Sequence, residues 1–234
     1  MKTKSIIFIL LLTIITVSCS KSVEYSEEFK KQTSGKYLYN PDELILVYYE
    51  GDKLLLNWKG GEIKPVTLSE NEFFVPDMYK KFRFVQHPKT KERYLSVIPE
   101  DNEDKVTYDY LKVAEDYKTP SQHLVDGNYE KALAGYLEIK KQDSTSSYIR
   151  ERDFNSIGYN HLRKNRYDEA IAVFKLNTVL HPNSSNVYDS LADAYLRSGD
   201  SLQAYNNYKK ALEMDPHNPR AERYLKAYKP KKNN

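Results

Sequence analysis

Chemistry in this chain of 234 residues would have to come from one cysteine, five histidines, 33 carboxylates and the hydroxyl side chains. Ser18-Cys-Ser-Lys21 fits S-x-x-K, in which a lysine serves a serine nucleophile. It closes an apolar leader, however, and cannot sit in an active site. There is no G-x-S-x-G and no Gly-rich phosphate loop. His87, His123, His161, His181 and His217 never fall at H-x-x-x-H or a related ligand spacing, which leaves them structural or solvated. A single cysteine excludes an internal disulfide and a zinc site built on several thiolates. The expectation is therefore a protein that is not an enzyme, with no catalytic residue, metal site or cofactor.

Cys19 has another possible chemistry. Met1-Lys-Thr-Lys4 is a short basic start, and Ile6 to Val17 is apolar except for Thr13 and Thr16. As a helix this run reaches roughly 18 Å, against a hydrocarbon core of ~30 Å, so it fits a signal peptide better than a membrane span. The ending Thr16-Val-Ser-Cys19 resembles the bacterial lipoprotein signal, in the relaxed form used by the Bacteroidota. That resemblance implies cleavage after residue 18 and acylation of Cys19, with palmitate among the chains. It places the protein in the cell envelope, lipid-anchored to a membrane, with the outer favoured over the inner, facing the periplasm or the exterior. Loss of Lys2 and Lys4 with the leader takes the formal charge from +3 to +1. Residues 19–34 are polar without clear periodicity and read as a tether.

Residues 35–115 carry short β-rich runs separated by turn signals: 36–39, 44–49, 53–58, 63–68, 72–75, 81–86, 93–98 and 106–113. Gly51-Asp52 and Lys59-Gly-Gly61 supply the positive φ that tight hairpins need. Gly35-Lys-Tyr37, the hairpin ELILVYYEGDKLLLNW, ENEFF and KKFRFVQHPKTKERYLSV together resemble the β domain that follows the catalytic domain in bacterial β-lactamase-like serine hydrolases. The resemblance implies a small antiparallel, lipocalin-like barrel. Its many aromatics (Tyr37, Tyr39, Tyr48, Tyr49, Trp58 and others) fill such a barrel; an aromatic-lined ligand pocket is the alternative.

The strongest signal lies in residues 119–228. Phe154, Ile157, Gly158, His161, Ala170, Phe174 and Pro182 recur 34 residues later as Tyr188, Leu191, Ala192, Tyr195, Ala204, Tyr208 and Pro216. Small residues let paired helices approach, large ones fill the space between units, and the prolines stop the second helix. This pattern resembles the tetratricopeptide repeat (TPR). The chain divides into a degenerate unit (119–150), two good units (151–184, 185–218) and a cap helix (219–228), followed by a basic tail. The fold class is thus α+β, a barrel-like module followed by a TPR solenoid. The β module is expected to cover the open end of the stack near Thr119–Leu124.

In TPR proteins the first helix of each unit lines a concave groove for a peptide or helix. By position, the groove residues here are Arg152, Asn155, Tyr159, Arg163, Asn186, Asp189, Asp193 and Arg197. Asn155 and Tyr159 stand where the family's carboxylate clamp has Lys and Asn, so that recognition mode is not expected. A solvated face is the alternative reading of the eight. The expected function is a lipid-anchored envelope protein that binds a partner protein or peptide. The alternative is an accessory or ligand-binding module of a separately encoded serine hydrolase. Mean hydropathy is −0.74 and the charge is near neutral, so nucleic acid is not an expected partner.

Overall fold

The computed structural model describes residues 23–228. The signal peptide, Cys19 and the basic tail lie outside the described residues. Helix α1 (Glu27–Thr33) starts where the Ser26 hydroxyl accepts the Phe29 N–H (3.1 Å), with Glu27 and Glu28 in its positive first turn. Its region was expected to be tether. Instead Tyr25 and Thr33 are buried and Phe29 packs on the β core. The Tyr25 and Phe29 rings stack at 5.6 Å, and Tyr25 meets Tyr49 edge-on at 5.0 Å. The polar residues face out, which is why the segment looks featureless as sequence.

Strands β1 (Gly35–Asn40), β2 (Glu43–Glu50), β3 (Lys53–Trp58) and β4 (Gly61–Ile63) form one antiparallel sheet in sequential order. Strands β5 (Val66–Thr67), β6 (Glu72–Val75), β7 (Lys80–Gln86), β8 (Arg93–Val97) and β9 (Tyr110–Leu111) form a second. The β3–β4 turn has positive φ at both Lys59 (53°) and Gly60 (80°), the twist that a two-residue hairpin requires. The two sheets share one aromatic core, in which Tyr37, Ile45, Val47 and Leu56 meet Phe73, Val75, Phe82 and Leu95.

The expected barrel is not closed. On one side an isolated bridge, Tyr37 to Lys112, brings β1 beside β9, and the Val113 N–H donates to the Lys36 carbonyl (2.8 Å). On the other side no ladder joins β4 to β5 among the described residues. The run expected at 63–68 is interrupted at Lys64-Pro65, with β4 pairing to β3 before the break and β5 to β6 after it. The run expected at 106–113 likewise shrinks to Tyr110–Leu111.

Among the described residues seven α-helices follow: α2 (Pro120–Val125), α3 (Tyr129–Gln142), α4 (Glu151–Arg163), α5 (Tyr167–Leu180), α6 (Ser185–Ser198), α7 (Ser201–Met214) and α8 (Pro219–Ala227). Thr119 opens α2 with a full capping box, its hydroxyl taking the Gln122 N–H while the Gln122 side chain takes the Thr119 N–H. Gly127, Asn165 and Gly199 each take a left-handed conformation between paired helices. Gly158 is required by its neighbour: a Cβ there would lie 2.5 Å from the buried Phe174 ring.

The β1–β2 turn docks on the helices. Asp42 Oδ1 accepts the Ser121 N–H at the start of α2 (2.7 Å), and the Lys36 ammonium donates to the carbonyls of Glu115 and Tyr117. The β module thus meets the stack at the end expected from the sequence. Burial pushes the Asp42 carboxyl above its ordinary value of 3.8, opposed by hydrogen bonds from Ser121, Thr119 and Tyr136. The folded state therefore holds this proton to higher pH than the unfolded chain does. Asp42's contribution to stability is greatest below about 3.8 and declines as pH rises through the raised value. Asp42→Asn keeps the acceptor and removes the titration. Urea unfolding at a series of pH values should show the wild-type stability falling relative to the variant across that window; parallel profiles would exclude the effect.

Candidate partner-binding groove

Helices α4, α6 and α8 begin at residues 151, 185 and 219, so they occupy the same place in successive 34-residue steps. Position 152 thus corresponds to 186 and 220, 155 to 189 and 223, and 159 to 193 and 227. These helices carry all eight residues expected in the groove, and α8 adds Arg220, which the sequence reading had placed in a cap. Its distance of 34 from Asn186 was the signal that could have revealed it.

Four of the residues come together as one charged cluster. Asp189 and Asp193 are nearly buried, their side chains 8% and 11% exposed. Arg197 Nε donates to Asp193 Oδ1 (3.1 Å). Arg220 Nη1 lies 3.3 Å from Asp189 Oδ2 and 3.8 Å from Asp193 Oδ2. Asn218, which caps α8, donates its side-chain N–H to Asp189 Oδ1 (3.0 Å). Two carboxylates withdrawn from water are tolerated because cations and a neutral donor supply what solvent would have supplied. The hydrogen bond to Asp193 holds the Arg197 guanidinium above its ordinary range. For Arg220 burial opposes the charge, and the Tyr159 hydroxyl with the two aspartates more than offsets it, so its pKa is also raised.

Of the remaining predicted residues only Tyr159 touches this cluster, through the Arg220 guanidinium. Arg152 is exposed beside Asp153 (3.4 Å), and Arg163 is exposed at the end of α4. Asn186 is exposed and donates to Glu151 Oε1 (2.7 Å) across the two units. Tyr159 is half-buried, meets Phe174 edge-on and donates to Ser190 Oγ (3.2 Å). Asn155 is buried between α4 and α5, where Asn177 donates to its Oδ1 (3.0 Å). That amide is spent on packing inside its unit and is not presented to a ligand.

The His181 ring meets the Ile149 carbonyl (2.8 Å), and His87 Nδ1 accepts backbone N–H groups of Lys89 and Thr90. Burial holds His161 below its ordinary value, with Arg166 adding to the effect. Among the described residues no three His, Cys, Asp or Glu side chains form a metal-holding group. No helix there is long and apolar enough to cross a membrane.

Paired helices repeating every 34 residues, with small residues at the crossings, define the C-terminal half as a TPR-containing helical region, preceded by antiparallel β-sheets. A family model of the tetratricopeptide repeat matches residues 185–218, which hold α6 and α7. No curated protein matches the chain. Among solved structures, the chain is similar to the second TPR domain of human RPAP3 in complex with an HSP70 peptide, at 19% identity and a TM-score of 0.32, covering 46% of this chain and 86% of that one. It is also similar to the Yersinia enterocolitica type III secretion chaperone SycD in complex with a peptide of the translocator YopD. There the identity is 20%, the TM-score 0.32, and the cover 46% of this chain and 85% of that one. A third similar structure is the MamA R50E mutant, at 18% identity and a TM-score of 0.35, covering 45% of this chain and 74% of that one.

Proposed function

We propose that the protein is a non-enzymatic, lipid-anchored component of a bacterial cell envelope that holds a partner protein through its TPR groove. The observation that carries this reading is the alignment of α4, α6 and α8 at 34-residue steps, with Arg152, Asn186 and Arg220 exposed at one shared position. A repeated, exposed position on successive helices suits an extended ligand that meets several units at once. The β module supports the first helix pair from the side of Asp42. Cys19, six residues before the buried Tyr25, carries the anchor. An extended chain of that length spans at most ~20 Å, so the fold sits close to the membrane surface. The rival reading, an accessory to a serine hydrolase, rests on strand pattern alone.

Pull-down from envelope extracts should enrich a specific protein that Tyr159→Ala and Arg197→Ala release, with circular dichroism showing both variants folded. Recovery unchanged by either substitution would count against the groove. Cys19→Ala should move the protein from the membrane to the soluble fraction; retention in the membrane would defeat the anchor.

A further inference from the structure

We infer that the groove selects a peptide segment bearing an acidic side chain, and that Arg197 of α6 and Arg220 of α8 receive that carboxylate together. The inference rests on the groove reading proposed above and goes on to specify the ligand. Both guanidiniums approach the same carboxylate: Arg197 takes Asp193 Oδ1, and Arg220 stands by Oδ2 of the same group. Two cations that would repel one another are thereby held side by side. A second buried acid, Asp189, also holds Arg220 Nη1 (3.3 Å).

The exposures are divided by sign. The acids are 8% and 11% exposed, whereas the Arg197 and Arg220 side chains are 53% and 51% exposed. Negative charge therefore lies beneath and positive charge above, so the cationic ends of these pairs face the solvent. Each guanidinium has five N–H donors in a fixed fork. Arg197 spends its Nε on Asp193, and Arg220 reaches both aspartates through Nη1. Arg220 also meets the Tyr159 and Tyr208 hydroxyls. The donors left over on the two guanidiniums suit a planar anion, and bidentate acceptance of a carboxylate matches their geometry. Arg152 and Arg163 on α4 extend the cationic surface along the groove. A basic segment would meet these arginines first and is disfavoured by like charge.

The test is to pan a phage library of random octapeptides against the purified full-length chain. Peptides are kept if they are lost on Asn186→Trp, which places a bulky side chain on an exposed groove position. Asp or Glu should be enriched at one peptide position. Arg197→Gln should weaken those peptides about 10- to 100-fold, the range for hydrogen bonds to a charged group. Arg197→Glu should then prefer the same peptide with Lys in place of its acid, an inversion that a merely structural arginine would not produce. If Arg220→Gln fails to fold for want of a partner for its acids, Asp189→Asn/Arg220→Gln removes both charges and should show the same loss. Groove-dependent peptides without acidic enrichment would overturn this inference and leave the groove reading standing. No groove-dependent peptide at all would overturn both.

Discussion

Phe174→Ala is expected to lower stability by about 3–5 kcal/mol, the usual cost of emptying a fully buried aromatic site. Phe174 is wholly buried on α5, beneath Tyr159 and against the backbone of α4 at Gly158. Neither neighbour can move in to fill the space, because Gly158 has no side chain and the Tyr159 hydroxyl is committed to Ser190. The complementary change, Gly158→Ala, inserts a methyl group 2.5 Å from the same ring and should cost about 1–3 kcal/mol by overpacking. The two changes are coupled. In the double variant Gly158→Ala/Phe174→Leu, the added methyl should cost less than it does against the intact ring. Urea unfolding followed by helical circular dichroism measures all of these, and strict additivity would mean that the glycine is not there to admit the ring.

The second large effect concerns the segment before the first strand. Tyr25→Ala should destabilise the β module by about 2–4 kcal/mol, as truncation of a buried aromatic does. Were residues 19–34 only a tether, the cost would be close to zero. Tyr25 instead lies between Phe29 and Tyr49, with its hydroxyl 3.4 Å from Thr67 Oγ1 on β5. The same helix is tied to the sheets through Thr33, whose Oγ1 is 2.6 Å from the Tyr49 hydroxyl and whose carbonyl accepts the Tyr37 hydroxyl (2.8 Å). Burial pushes the phenols of Tyr37 and Tyr49 far above their ordinary range, so neither ionises in the folded protein under ordinary conditions. Tryptophan fluorescence from Trp58, the sole tryptophan, would follow unfolding of this module separately from the helices. Unchanged unfolding of Tyr25→Ala would restore the tether.

Both predictions turn on what could be read before the structure. The helical half was legible because its periodicity is written in residue types: Gly158 and Ala192 at one crossing, Ala170 and Ala204 at the other, and a proline after each second helix. Each type answers a local steric demand that recurs every 34 residues, so one unit reports on the next. Strand runs were legible for the same reason, since hairpin chemistry at Gly51 and Lys59-Gly60 is local. The number of eight strands and the closed barrel were not, because closure depends on which edges meet. At the β4–β5 seam the chain leaves one sheet at Ile63 and enters the other at Val66, with Pro65 between.

The candidate groove shows the same division more sharply. Helical position alone placed Asn155 among the ligand-facing residues, yet a buried bond from Asn177 on the neighbouring helix claims it. Arg220 was passed over because a terminal helix looks like a cap, while the 34-residue step carries it onto the position shared by Arg152 and Asn186. By itself, then, the sequence determined the repeat, its phase, the helix pairs and the alternation of strands and turns. All of these arise from contacts between residues close in the chain or one unit apart. Only the tertiary structure decided that α1 joins the β core, that the sheets stay open on one side, and that two aspartates sink beneath two arginines. Those outcomes depend on which distant surfaces lose their water together, and burial of that kind leaves no periodic mark on the residues that undergo it.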